Sequence, residues 1–220
     1  MITLEEVKNN QKIKEFIRQT EKYLDSLGFT DHGQRHINIV SDRTRKLARN
    51  LNLSKKDEEL AAIAGYCHDI GNFLGRDNHH FWSALLFSQI YINEISTQDL
   101  SEIMQAMASH DKDNLNILNN ITACLILADK SDVHRTRVKE KDPKRIEEDI
   151  HDRVNYSVIK NELKISKKNK QITLKLEIDT KITKPMDYFE IFLERMIYCR
   201  KAADFMGYDF VLIINNFKLS

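Results

Sequence analysis

The chain has 220 residues, 34 of them Lys or Arg and 33 Asp or Glu, for a formal net charge of +1. That balance makes no global electrostatic case for nucleic acid and leaves only a local basic rim open, and 41% hydrophobic with 30% charged residues describes a globular protein with a substantial core. No segment reaches the ~18 consecutive apolar residues of a membrane span, so a membrane partner is not expected and a cytoplasmic location is.

The 2 Pro and 6 Gly, with Ala, Leu, Ile, Lys and Glu abundant, predict a mainly α protein. Thr3 and Glu6 have capping-box spacing, and Val7, Ile13, Phe16, Ile17, Tyr23 and Leu24 form a first helical stripe ended by Gly28. A second helix runs from near Gly33 to about Leu51, with Ile37, Val40 and Leu47 on its apolar face. Ser54 opens a third, which ends at Gly71 with His68 and Asp69 in its last turn. Further helices are expected over 79–92, 99–110, 116–133 and 143–159. From Glu162 the period changes to two. Residues 162–166 and 171–179 alternate as strands around a Lys167-Lys168-Asn169-Lys170 turn. A helix over 185–206, with Phe189, Phe192, Leu193, Met196, Ile197 and Ala203 inward, then a strand over 210–214, complete the chain. The division expected is a helical domain, 1–160, and a small antiparallel β-β-α-β unit, 161–220.

Cys67, Cys124 and Cys199 are odd in number, far apart and in apolar surroundings. They predict buried free thiols in a reducing compartment, with neither a disulfide frame nor a zinc ribbon.

The chemistry concentrates on histidine and aspartate. His68-Asp69 ends the apolar run Ala-Ala-Ile-Ala-Gly-Tyr-Cys, His36 lies upstream, and His79-His80, His110 and Asp129 lie downstream. Imidazole nitrogen and carboxylate oxygen are the donors of transition-metal sites. A buried carboxylate is costly without compensation, and coordination removes that cost. His68 and Asp69 point ~100° apart on a helix, so they suit two neighbouring ions bridged by the carboxylate. A lone histidine is usually a hydrogen-bonded or surface residue. His134 and His151 are assigned to that class, and His32 to a capping or supporting role.

His36, then His68-Asp69, then Asp129 resembles the His…His-Asp…Asp signature of the HD-domain metal-dependent phosphohydrolase superfamily, over roughly residues 30 to 140. His79, with Ser83-Ala84 after it, and His110 make it similar to the six-ligand, two-metal branch, which includes cyclic-dinucleotide phosphodiesterases and dinucleoside-polyphosphate hydrolases. His80 fits that spacing less well than His79. The resemblance implies an HD-type helical bundle with His36, His68, Asp69, His79, His110 and Asp129 as ligands of two divalent ions. Six N and O donors suit Fe or Mn, with Zn, Ni or Mg as alternatives. Asn72 stands where cyclic-dinucleotide members carry lysine, and no Gly-Tyr-Pro stretch follows His110, so cyclic di-GMP cleavage is not expected.

The activity implied is hydrolysis of a phosphoester or phosphoanhydride, in a nucleotide or dinucleotide, by hydroxide generated between metals that Asp69 bridges. Lys130, next to Asp129, with Arg135, Arg137 and Lys112, are candidate phosphate contacts, and Lys130 joins Asp69 as a candidate catalytic group. The general acid is not legible. The expected partner is a small phosphorylated molecule, with homo-oligomerisation open to the chain and nucleic acid not expected. The rival readings are a non-catalytic nucleotide-binding or regulatory module, a structural metal protein, and a di-iron oxygenase.

Overall fold

A computed structural model describes residues 2–111 and 117–219. These divide into two compact units, Met1–Asp129 and Lys130–Ser220. The division falls earlier in the chain than the change of periodicity near Glu162.

The first unit is helical. Thr3 and Glu6 close a full capping box on α1 (Leu4–Asn9). Asn10 then leaves helical backbone and accepts from the Lys12 and Ile13 amides, starting α2 (Gln11–Ser26). The expected single stripe is therefore two helices, because an asparagine side chain competes with the helical hydrogen bond and serves better as a cap. Next come α3 (Gln34–Asn50) and α4 (Lys55–Cys67), which Ser54 and Asp57 start with a second capping box. All residues of α4 from Leu60 to Cys67 are buried, so it is hydrophobic all round and forms the middle of the unit. Each fully buried Leu or Ile contributes roughly 1.5–3 kcal/mol.

Gly65 lets α4 pack closely on α3. A Cβ there would stand 2.9 Å from Ser41 Cα and 2.9 Å from Thr44 Oγ1 of α3. Ser41 Oγ donates to Ala62 O at 2.8 Å, tying the two helices together. After α4 the chain makes a tight turn and a 3₁₀ segment, Asn72–Leu74, then α5 (His79–Tyr91), α6 (Thr97–Ser109) and α7 (Asn120–Lys130).

The second unit holds a 3₁₀ turn, Arg135–Arg137, then α8 (Pro143–Glu148), α9 (Ile150–Ser157), β1 (Val158–Ser166), β2 (Gln171–Ile178), α10 (Pro185–Phe205), β3 (Asp209–Ile214) and β4 (Phe217–Lys218). Asp149 caps α9 and divides the helix expected over 143–159. The sheet order is β1-β2-β3-β4. β1 and β2 form an antiparallel hairpin, as the alternation predicted, but β2 and β3 run parallel. The expected all-antiparallel sheet is thus corrected to a mixed one. The reason is topological: α10 carries the chain back across the sheet, and such a crossover delivers the next strand in the same direction.

Ile172, Leu174, Leu176 and Ile178 are buried on one face of β2, and α10 packs on β3 through a face containing Tyr188, Phe192, Met196 and Cys199. Leu193, expected inside, is 52% exposed. No helix among the described residues is long and apolar enough to cross a membrane.

Candidate metal centre

Helix ends supply every donor of the cluster. His36 lies in the first turn of α3, His68 is the C-cap of α4, and Asp69 follows it. His79 opens α5, His110 is the C-cap of α6, and Asp129 lies one residue before the end of α7. All six are buried, from 0% exposed for His36 and His68 to 8% for Asp129. Three overlapping groups bring ligand atoms within 4.8 Å of one another: His36-His68-Asp69, His68-His110-Asp129 and Asp69-His79-His110.

Asp69 is common ground between two sides. Its Oδ2 lies 3.4 Å from His68 Nε2 and 3.8 Å from His36 Nε2. Its Oδ1 lies 3.2 Å from His79 Nε2 and 3.9 Å from His110 Nε2. Asp129 Oδ1 joins the first side, 3.4 Å from His36 Nε2 and 3.7 Å from His68 Nε2.

The backbone sets the rings. Nδ1 of His68 donates to Gly65 O at 2.9 Å, that of His79 to Arg76 O at 2.9 Å, and that of His110 to Met107 O at 2.6 Å. A neutral imidazole protonated on Nδ1 presents a bare lone pair at Nε2. The Nε2 atoms face inward: those of His79 and His110 are 3.3 Å apart, as are those of His36 and His68. Between His79 and His110, two lone pairs at that separation repel unless a proton or a metal ion is shared between them, so the donor set fits metal ions.

The electrostatics agree. Burial opposes charge on His68, but the Asp69 and Asp129 carboxylates beside it push its pKa up to about 10. Burial likewise opposes ionisation of Asp69, yet His68 and then His79 hold it well below the usual carboxylate range. The cluster favours positive charge at its centre, either a proton on His68 Nε2 or a cation in its place.

The turn between α4 and α5 is held on several sides. Gly71 N–H donates to Ser83 Oγ at 2.8 Å, and a Cβ on Gly71 would stand 2.7 Å from His79 O. Asn72 Nδ2 donates to Asp69 O at 3.0 Å, and Thr20 Oγ1 to Ile70 O at 3.2 Å. Of the adjacent pair His79-His80, only His79 brings a ring nitrogen into the groups above, while the His80 ring leans on Phe81 with centroids 4.2 Å apart. His32 Nδ1 donates to Thr30 O at 2.6 Å, and its ring lies edge-on to that of His36.

Lys112 lies outside the described residues. Lys130, Arg135 and Arg137 belong to the second unit. Lys130 is buried, Arg135 lies over the Tyr156 ring at 5.3 Å, and Arg137 Nη1 donates to Asp132 O at 2.7 Å. Sequence reasoning missed Arg76. Its Nη1 is 3.8 Å from Asp69 Oδ1 and donates to Asn72 Oδ1 at 2.8 Å, and its Nη2 is 3.8 Å from Asp111 Oδ2. The one signal was its place three residues before a candidate ligand histidine, in a loop.

Residues 34–153 match the model of the HD domain family, and the chain belongs to that family. This is the superfamily of metal-dependent phosphohydrolases, most of whose members are hydrolases. An uncharacterized protein of Methanocaldococcus jannaschii is 29% identical over a stretch covering 49% of this chain and 51% of that protein. The chain spans about half the length of this curated relative.

Proposed function

We propose that the protein is a metal-dependent phosphohydrolase that cleaves a phosphoester or phosphoanhydride bond in a small nucleotide or dinucleotide. The observation that carries this reading is the division of the Asp69 carboxylate, with Oδ2 toward His36 and His68 and Oδ1 toward His79 and His110. A carboxylate shared in this way would serve two cations, one on each oxygen. His36, His68 and Asp129 would hold one, and His79 and His110 the other, both as divalent transition metal such as Fe or Mn.

Ions held there supply Lewis acidity toward phosphoryl oxygen and ionise water near neutral pH. The chain's own residues do the rest. The Gly65, Arg76 and Met107 carbonyls keep three donor rings in one tautomer. Burial of the six donors excludes bulk water and strengthens each electrostatic contact. Lys130, next to Asp129 in α7, is proposed as a phosphate contact, with Arg135 and Arg137 as further candidates; Arg137 already spends one donor on Asp132.

The test is elemental analysis of the purified protein, joined to a screen of phosphodiesters, nucleotides and dinucleoside polyphosphates with added Mn²⁺ or Fe²⁺. About two ions per chain and metal-dependent phosphate release are expected. A metal-loaded protein that consumes oxygen and hydrolyses no phosphate compound would overturn the reading in favour of an oxygenase.

A further inference from the structure

We propose that Arg76 binds phosphate on the His79 side of the cluster, and so completes the substrate site with a cation from the metal-bearing unit itself. This rests on the phosphohydrolase reading above and adds a substrate-contacting residue to it.

Position comes first. The 3₁₀ turn Asn72–Leu74 and Gly75, at φ 120°, bend the chain back before α5. That bend gives Arg76 two orientations of use. Its carbonyl accepts from His79 Nδ1, and its side chain reaches the Oδ1 edge of Asp69. Asn72 fixes the reach: it donates to Asp69 O and accepts from Arg76 Nη1. One asparagine thus sets the spacing between the shared carboxylate and the guanidinium.

The contacts then show what the guanidinium is placed to do. It lies 3.8 Å from Asp69 Oδ1 and 3.8 Å from Asp111 Oδ2, beyond hydrogen-bonding range of both. A guanidinium has five N–H donors, and among the described residues only the contact to Asn72 is a hydrogen bond. The side chain is 30% exposed, unlike the buried donors beside it. A charge serving only to neutralise Asp69 would gain by closing to a bidentate pair. Arg76 instead keeps its fork open at the wet edge of the cluster.

Phosphate matches that fork. Its non-bridging oxygens take two parallel N–H bonds, and its charge is balanced where Asp111 would otherwise repel it. A phosphoryl group bound beside Asp69 Oδ1 falls within reach of the guanidinium. Arginine suits the place better than lysine, since a point charge cannot hold two oxygens at once.

The experiment uses the full chain loaded with Mn²⁺, in wild-type, R76Q and R76K forms. Metal content is measured by elemental analysis, inorganic phosphate binding by calorimetry, and kcat/KM on a substrate from the screen above. R76Q is expected to keep its metal while phosphate binding and kcat/KM fall roughly 10- to 100-fold, the scale of a charge-assisted contact. R76K should recover part of that loss. Wild-type phosphate affinity and turnover in R76Q would overturn the assignment and leave the phosphohydrolase reading standing. Loss of metal in R76Q would also overturn it, making Arg76 a support for Asp69. Failure of the wild-type protein both to bind phosphate and to hydrolyse any phosphate compound would overturn the underlying reading, and this inference with it.

Discussion

The two oxygens of Asp69 face differently built surroundings. Around Oδ2 stand His36, His68 and Asp129, brought in by α3, α4 and α7, with no ring more than 0% exposed. Around Oδ1 stand His79 and His110, and at their edge lie Arg76 and Asp111, with side chains 30% and 33% exposed. The first side is positioned by helix packing, above all by Gly65 against α3. The second is positioned by the turn around Gly71 and by Asn72. A dry, rigid side suits the holding of an ion, and a wetter, loop-built side suits the entry of a charged substrate.

Variants can break this contrast at its centre or sharpen it at either side. Asp69→Ala should have the largest effect, because it takes a donor from both sides and leaves two cations facing each other. Metal content should collapse, and activity should fall by roughly 10³-fold or more. Full metal and full activity in that variant would end the phosphohydrolase reading.

His79→Ala removes a donor from the Oδ1 side alone. About one ion per chain should remain by elemental analysis, with activity down roughly 10²-fold; two retained ions would show that the sides are not separate sites. Lys130→Ala leaves all six donors in place. Metal content should hold while kcat/KM drops about 10- to 100-fold, or ~1.4–2.7 kcal/mol. Unchanged kinetics would assign that lysine to its own unit's structure.

The smallest effect is expected from Gly65→Ala. The added methyl must push α3 from α4 at a backbone atom, which costs about 1–3 kcal/mol in denaturant unfolding. Its metal loss should be confined to the His36 side, measured as weaker retention of one ion during dialysis against a chelator.

Much of this cluster is legible in the sequence, because side chains at helix ends carry their own punctuation. His68-Asp69 closes an apolar run, His79 opens one, and Asp129 ends another. Backbone geometry separates His79 from His80. Asn78, at φ 61°, makes His79 the first helical residue and turns its neighbour toward Phe81. Arg76 left no periodic trace, since its reach depends on a 3₁₀ turn and a glycine at positive φ. In the second unit, alternation gave the strands, but not that β3 would pair in parallel. That followed from the crossover through α10, a matter of connectivity rather than of residue type.

The bonds from His68 to Gly65 O and from His110 to Met107 O have one further consequence. Both carbonyls lie among the last four of their helices, where the backbone lacks its own partner. The same bond that finishes each helix therefore locks a donor ring. Side chains locked this way give up little rotamer freedom when a cation arrives, a saving of about 0.5–1.5 kcal/mol for each. Where small zinc modules fold around their ion, these rings are held by the ends of the helices themselves.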